Sequence, residues 1–326
     1  MAVETLDLLV IGAGPAGLSA AIEAQKLGWK TAVIDKGCLV NSIYEYPVDM
    51  VFFTTPELLE LGGIPFPSAH QKPVRQEVLE YYRKLASYFA LDLRLYQTIE
   101  SIAGSDGAFR VSSRDRAGRS HEYAVRKLVL AMGYYDQPNL LGIPGEELPK
   151  VTHYYKDAHP CYGCDVAVIG GKNSAVLAAL DLWRHGARVT LIHRRAAVGE
   201  HVKYWIRPDI ENRIKAGEIK AYFNSTLRLI TPGEIEIETP QGAITLANDA
   251  VFAMTGYKPK FDFYEKLGIG FHGDDHRPEV NPETLESNVK GIYLAGVIVG
   301  GRQTNEIFIE NGREHGEKIA AGLGRK

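Results

Sequence analysis

The chain has 326 residues, 45% of them hydrophobic, with 33 glycines, 3 cysteines and a formal net charge of −3. At roughly 100–200 residues per domain, this length fits two domains, each burying its own core. The near-neutral balance offers no broad basic surface to nucleic acid or an anionic membrane, and three cysteines exclude both a disulfide-stapled secreted scaffold and a four-cysteine zinc site. A cytoplasmic enzyme without a metal centre is the expectation. Glycine is about one residue in ten, above the roughly 7% average and without a collagen-like period. The excess belongs in tight turns or in loops that approach a ligand closely.

Residues 6–24 form an apolar stretch that imitates a signal peptide. Glu4 and Asp7 make its start acidic, the first basic residue is Lys26, and glycines interrupt the run. A signal peptide needs a basic start and an unbroken apolar region. No other run is long enough to suggest a membrane span. The stretch reads instead as a strand over 6–11, the turn Gly12-Ala13-Gly14-Pro15-Ala16-Gly17, a helix over 18–27 stopped by Gly28, and a strand over 31–34 ending on Asp35. In such a βαβ unit the first glycine makes the turn, the second admits a pyrophosphate, and the third packs helix on strand. The helix N-terminus presents unpaired amides to phosphate, and Asp35 is placed to accept hydrogen bonds from a ribose. The competing reading is a glycine-rich turn with no ligand; the strand, helix and acid in sequence argue against it.

Further along, residues 74–89 read as an amphipathic helix and 99–123 as a β-meander covering the sheet, with turns at Gly104-Ser105-Asp106-Gly107 and Ala117-Gly118-Arg119. Residues 127–133 form an apolar strand ending in Gly133. A near-copy at 250–256 ends in Gly256, and both are followed closely by tyrosine and proline. These strand ends suit crossings between two domains.

Between them lies a second βαβ unit. A strand over 166–169 leads into Gly170-Gly171-Lys172-Asn173-Ser174-Ala175, then a helix over 175–184 and a strand over 188–192 ending on His193. The spacing from first glycine to strand end, 12 to 35 and 170 to 193, is the same in both units. That repetition carries more weight than either motif alone. Two departures are informative. Lys172 takes the middle glycine position, so a cation can meet phosphate there, and the strand ends on His193-Arg194-Arg195 instead of an acid. Arginines pair with a 2′-phosphate that a carboxylate would repel, which favours NADPH over NADH. Lys203 lies close enough in sequence to add to that pocket. A solvated basic turn is the competing reading.

Two dinucleotide units in this order, with Gly291-Ile292-Tyr293-Leu294-Ala295-Gly296 near the C-terminus, resemble the two-dinucleotide-binding-domain flavoproteins of the low-molecular-weight thioredoxin-reductase-like group. The closer resemblance is to the bacillithiol-disulfide-reductase-like family. It is carried by Lys36-Gly37, Val40-Asn41-Ser42-Ile43-Tyr44-Glu45-Tyr46-Pro47, Gly133-Tyr134-Tyr135, His153-Tyr154 and Ala158-His159-Pro160. The same holds for Val168 to Ala175, Ala295-Gly296-Val297-Ile298 and Ile307 to Arg313. These stretches span nearly the whole chain. The resemblance implies an α/β fold of two Rossmann-like domains, three-layer ββα, with an FAD domain (1–135 and 258–326) interrupted by an NADPH domain (136–257).

It also implies a set of binding residues. FAD would be held by Gly12, Gly14, Pro15, Ala16, Gly17, Asp35, Lys36, Asn41, Ser42, Met132, Gly133, Gly296, Val297, Ile307 and Phe308. NADPH would be held by Gly170, Gly171, Lys172, Asn173, Ser174, Ala175, His193, Arg194, Arg195, Lys203 and Gly256. The implied reaction is NADPH-driven reduction of a low-molecular-weight disulfide such as bacillithiol disulfide, by a homodimer or higher homo-oligomer. A ferredoxin or flavodoxin reductase of the same fold, with a small redox protein as partner, and a non-catalytic nucleotide sensor are the alternatives.

Two features set this chain apart from its resemblances. Val297 stands where many flavoproteins of the wider group carry an aspartate, as it does in the closer family, and Ala16 occupies the position at which that family often has a cysteine proposed for the disulfide chemistry. The remaining thiols are Cys38, whose partner in a CxxxxC pair would fall on Ile43, and the Cys161-Tyr162-Gly163-Cys164 pair, a weak candidate for a catalytic dithiol. His159 and His315 are candidate proton donors, although a structural hydrogen bond is the commoner role for such histidines. Tyr44, Tyr46, Phe52 and Phe53 fit equally a flavin shield or core.

Overall fold

The computed structural model describes residues 3–324. The chain divides into two compact units, one made of residues 1–45, 49–137 and 257–326, the other of 46–48 and 138–256. The short insertion at 46–48 joins the second unit through the Val48 amide, which donates to the Lys156 carbonyl at 2.9 Å.

Unit 1 opens with β1 (Glu4–Ile11), α1 (Pro15–Lys26) and β2 (Thr31–Asp35). β1 is buried on both faces from Leu6 onward, as a central parallel strand must be. Pro15 occupies the start of α1, where its missing N–H costs nothing. The helix stops at Gly28, whose φ of +85° an L-residue resists. A short α2 (Asn41–Tyr44) follows, then α3 (Arg75–Tyr88), β3 (Asp92–Leu95), β4 (Gln97–Ala103), β5 (Phe109–Asp115) and β6 (Ser120–Leu130). α3 falls where the amphipathic pattern placed a helix, and Val78, Leu79, Tyr82 and Leu85 are buried along one side.

The meander does more than cover the sheet. It is continuous with it, in the order β3-β2-β1-β6-β5-β4. β6 is long enough to serve both parts: residues 120–125 pair antiparallel with β5, while 123–130 pair parallel with β1.

Unit 2 contains β7 (Val151–Thr152), β8 (Asp165–Ile169), α4 (Asn173–Arg184), β9 (Arg188–His193), α5 (Arg207–Lys215), β10 (Lys220–Phe223), β11 (Thr226–Ile230), β12 (Glu234–Thr239), β13 (Gly242–Ala247) and β14 (Ala250–Ala253). Its parallel sheet runs β10-β9-β8-β14-β7, and β11-β12-β13 form a separate antiparallel sheet. Ile235, Ile237 and Leu227 from that sheet share a core with Ala167, Ile169, Ile192 and Val251 of the parallel one.

The chain then returns to unit 1 as α6 (Phe261–Lys266), β15 (Phe271–His272), β16 (Arg277–Pro278), β17 (Ile292–Leu294), α7 (Ile309–Gly312) and α8 (His315–Leu323). β17 pairs parallel with β6 at Leu128–Leu130. α8 lies against α1 so closely that a Cβ on Gly316 would stand 2.3 Å from Ser19 Oγ. The two crossings are tied within their own units. Lys258 N donates to Gln137 O at 3.0 Å in unit 1, and Asn139 N to Gly256 O at 2.9 Å in unit 2. The molecule is an α/β protein of two Rossmann-like units. No helix among the described residues is long and apolar enough to cross a membrane.

Candidate functional site

In unit 1 the three motif glycines have three separate reasons to be glycine. Gly12 has φ +113°, and a Cβ there would lie 2.2 Å from the Ala131 carbonyl oxygen at the end of β6. A Cβ on Gly17 would lie 1.9 Å from Gly12 O, so α1 packs on the turn with no room for a methyl. Gly14 faces open space, with no heavy atom within 4 Å of its missing Cβ. Steric demand from the protein explains Gly12 and Gly17 and leaves Gly14 to be explained by something outside the chain. The first bond of α1 runs from Leu18 N to Gly14 O at 2.9 Å. The amides of Ala16 and Gly17 therefore precede any intrahelical acceptor. An open cradle with free amides at a 12-residue helix start fits a pyrophosphate.

Asp35, at the end of β2, holds that cradle in shape. One carboxylate oxygen accepts from Ala13 N at 2.7 Å and the other from Gly37 N at 2.7 Å. Burial raises its pKa, opposed by those two amides. Each oxygen keeps a further lone pair for a ribose hydroxyl. Ala13 also fixes the next segment, its carbonyl accepting from Val40 N at 3.0 Å. Asn41 Oδ1 accepts from Cys38 N at 3.2 Å and from Cys38 Sγ at 3.3 Å, so Cys38 is held in a turn that Asn41 organises. Ser42 lies beside it in α2. Lys36 is ion-paired with Asp136.

The C-terminal segment returns to this same turn. A Cβ on Gly296 would meet the Ala16 Cβ at 3.3 Å, so Gly296 and Val297 sit beside the glycine-rich loop. Gly296 N donates to Nδ1 of His315 at 2.9 Å, and His315 is 6% exposed with its pKa pushed down to about 4 by burial. His315 thus takes the structural role of the two open to it: a neutral acceptor holding the Gly296 backbone. Ile307 is half-buried and touches Gly300 and Gly312. Phe308 is exposed, with its amide donated to Asn311 Oδ1 at 2.8 Å. Tyr44, at 51% exposure, lies under the Arg75 guanidinium, whereas Phe52 is buried.

Unit 2 rebuilds the turn with other residues. Gly170 has φ +143° and abuts Met254 O, 2.6 Å from its missing Cβ, and the Ala175 methyl at 2.9 Å. Gly171 lies against the ring of His193, whose Nε2 would be 2.5 Å from an added Cβ. That Nε2 is buried with no hydrogen-bond partner. Burial, then Arg195 and Arg194, lowers the His193 pKa, which favours the neutral ring. The amides of Asn173, Ser174 and Ala175 open α4 ahead of its first bond, from Val176 N to Lys172 O at 3.1 Å.

Several basic residues lie on the segments that follow β8 and β9. Arg194 and Arg195 are exposed and enter no ion pair among the described residues. Asn224 N and Ser225 N hold their turn by donating to Arg195 O and His193 O. Lys203 is brought in by Asn173, whose Oδ1 accepts from Lys203 N at 2.9 Å and whose Nδ2 donates to His201 O at 3.2 Å. Gly199 N donates to Gly171 O at 2.7 Å. Lys172 is exposed beside them, and Gly256, in the loop that follows β14, has φ +86°. Sequence reasoning missed Gly199 and the Asn173 brace; the only signal was one more glycine without an address.

Cys161 and Cys164 lie at the other end of β8. The glycine turn follows the C-terminal end of that five-residue strand, and the pair precedes its N-terminal end, roughly 16 Å away at 3.3 Å per residue. Ligands of open parallel sheets bind at the carboxyl ends of the strands. Burial pushes the Cys161 thiol up, with Cys164 and Asp157 adding to it, which is opposite to what the first attacking thiol of a pair needs. No cluster of three or more metal-ligating side chains occurs among the described residues.

Known proteins share this arrangement. The sequence profile of the family described as pyridine nucleotide-disulphide oxidoreductase matches residues 9–296. The bacilliredoxin reductase Bdr of Bacillus subtilis is 42% identical over 319 residues, covering 98% of this chain and 97% of that one. The solved bacillithiol disulfide reductase Bdr (YpdA) from Bacillus cereus superposes with a TM-score of 0.96 at 41% identity, covering 98% of this chain and 99% of that one. The enzyme of that name from Staphylococcus aureus gives 0.93 at 38% identity, covering 98% of each chain. With two glycine cradles built as dinucleotide sites need and a match along nearly its whole length, this chain belongs to the pyridine nucleotide-disulphide oxidoreductase family and is a flavin-dependent oxidoreductase using FAD and NAD(P)H.

Proposed function

We propose that the protein reduces bacillithiol disulfide with electrons from NADPH, FAD lying in unit 1 and NADPH in unit 2. The observation that carries this reading is the likeness to a solved bacillithiol disulfide reductase, at 41% identity over 98% of the chain with a TM-score of 0.96. The open space at Gly14, the Asp35 carboxylate and the unpaired amides of α1 support FAD in unit 1. The exposed, unpaired Arg194 and Arg195 at the end of β9 support a 2′-phosphate in unit 2.

When bound, FAD supplies the two-electron chemistry between nicotinamide and disulfide. The chain's own contribution is positional and electrostatic. Asp35 fixes the glycine turn and faces a ribose. Gly296 and Val297, anchored by His315, close on Ala16. Arg194, Arg195, Lys172 and Lys203 neutralise phosphate charge at the start of α4. Ala16 brings no thiol to the turn, so any thiol chemistry there belongs to the substrate.

The test is anaerobic NADPH oxidation with bacillithiol disulfide, thioredoxin, ferredoxin, flavodoxin and a quinone offered in parallel. Turnover with bacillithiol disulfide well above the others supports the proposal. Reduction of ferredoxin or flavodoxin without disulfide turnover replaces it with a ferredoxin–NADP reductase activity. Bound FAD that NADPH fails to bleach would leave a sensor.

A further inference from the structure

The Cys161–Cys164 segment is a built turn, at the opposite end of β8 from the glycine cradle of unit 2. Cys164 N donates to Cys161 O at 3.0 Å. Between them Tyr162 has φ −57° and ψ 125°, and Gly163 has φ +73°. These are the angles of a type II β-turn, with glycine at the position that requires positive φ. Such a turn holds its first and fourth Cα atoms within about 7 Å, overlapping the roughly 4.4–6.8 Å span a disulfide needs. The two thiols are free, and the turn holds their Cα atoms at a separation that overlaps bridging distance.

Exposure distinguishes them. Cys161 is 7% exposed, Cys164 is half-buried, and Tyr162 at the turn tip is 78% exposed. The turn is pinned to its surroundings by Gly163 N donating to Gly186 O and Arg188 N donating to Cys164 O. Solvent therefore reaches the second cysteine before the first, the reverse of the order in which an exposed N-terminal cysteine leads a CxxC pair.

We propose that Cys161 and Cys164 form a reversible dithiol–disulfide site that exchanges with low-molecular-weight disulfides, Cys164 attacking first and Cys161 resolving. In the first step the Cys164 thiol loses its proton and its sulfur attacks one sulfur of RSSR. The Cys164–SR bond forms and one RSH leaves with that proton. In the second, Cys161 attacks the Cys164 sulfur, the intramolecular disulfide forms, and the second RSH leaves. The two protein thiols are oxidised by two electrons, RSSR is reduced by two, and the reverse exchange with excess thiol restores the dithiol. The site operates without either dinucleotide, so it stands or falls independently of the acceptor assigned above.

Oxidised glutathione is the probe. The reduced holoprotein is incubated with it anaerobically without NADPH, quenched in acid, alkylated after unfolding and mapped by peptide mass. The expected result is a Cys161–Cys164 peptide lighter by two hydrogen atoms and closed to alkylation, with Cys38 still alkylated. Cys161→Ser accumulates one glutathione on Cys164, and Cys164→Ser leaves Cys161 unmodified over the same time. The proposal is overturned if both thiols of the unsubstituted protein remain alkylatable in excess oxidised glutathione. It is equally overturned if Cys161 reacts in Cys164→Ser as fast as Cys164 does in Cys161→Ser.

Discussion

A Cβ on Gly171 would stand 2.5 Å from Nε2 of His193, a buried ring nitrogen with no partner of its own. The pair links the two ends of the second βαβ unit, the glycine turn after β8 and the basic turn after β9. Gly171→Ala forces the imidazole to move, at the end of the strand that leads into Arg194 and Arg195. The expected outcome is a nicotinamide-cofactor KM raised about tenfold or more, the equivalent of ~1.4 kcal/mol, with FAD content unchanged. Steady-state kinetics beside the flavin absorbance checks it; loss of FAD in this variant would contradict the placement.

The three glycines of the first turn separate folding from binding. Gly17→Ala drives a methyl into Gly12 O, 1.9 Å from its ideal position. Overpacking of this kind costs about 1–3 kcal/mol, so a lower Tm is expected even for protein stripped of cofactor. Gly14 has φ −78° and open space around it. Gly14→Ala should keep the apoprotein Tm while FAD retention falls. A Gly14→Ala protein that binds FAD normally would mean the open space serves nothing.

Arg194→Ala and Arg195→Ala remove charges that no carboxylate of the described chain engages. Hydrogen bonds to charged groups contribute about 1.5–3 kcal/mol each. The double variant should therefore raise the NADPH KM by about a hundredfold or more and leave the NADH KM within a few fold. Equal effects on both coenzymes would remove the 2′-phosphate from this turn.

His315 makes stability depend on pH in a stated direction. Its folded pKa is about 4 against an ordinary value of 6.5, so the folded state requires the neutral ring and the unfolded chain takes up the proton first. The contribution is complete above about 6.5 and is lost as pH falls toward 4, with the loss levelling off below. At 1.36 kcal/mol per pKa unit, this amounts to roughly 3 kcal/mol. His193, also lowered, acts in the same direction. Urea unfolding of apoprotein between pH 7 and 4 should show the decline, and His315→Asn, which keeps an acceptor for Gly296 N, should flatten it. An unchanged slope in that variant would assign the decline elsewhere.

Much of this architecture can be read from periodicity and punctuation. β1, β2, β8 and β9 are short apolar runs bounded by glycine or charge, and α3 shows one buried side. These are local signals. The role of His315 is not local: α8 packs on α1 across about 300 residues, with Gly316 against Ser19, and the neighbouring His315 ring accepts from Gly296 N. His193 was visible as the residue replacing an acid at a strand end. That its ring would close over Gly171 depends on where the β9 side chain points, which spacing does not encode. Asp35 was legible as an acid in the right place, but its grip on Ala13 and Gly37 emerges only when β1 and β2 are paired.

The partner change along β6 has a consequence for how the protein is made. Its residues 128–130 pair with β17, which is synthesised only after every strand of unit 2. On the ribosome unit 2 has all its strands while the sheet of unit 1 still lacks the neighbour of Leu128 and Leu130, leaving a hydrophobic strand edge unpaired. Such edges recruit other chains, and long-range pairings form late. Nascent-chain arrest before Ile292 should yield a protease-resistant unit 2 beside a protease-sensitive first segment, and that interval is when a chaperone would have most to protect.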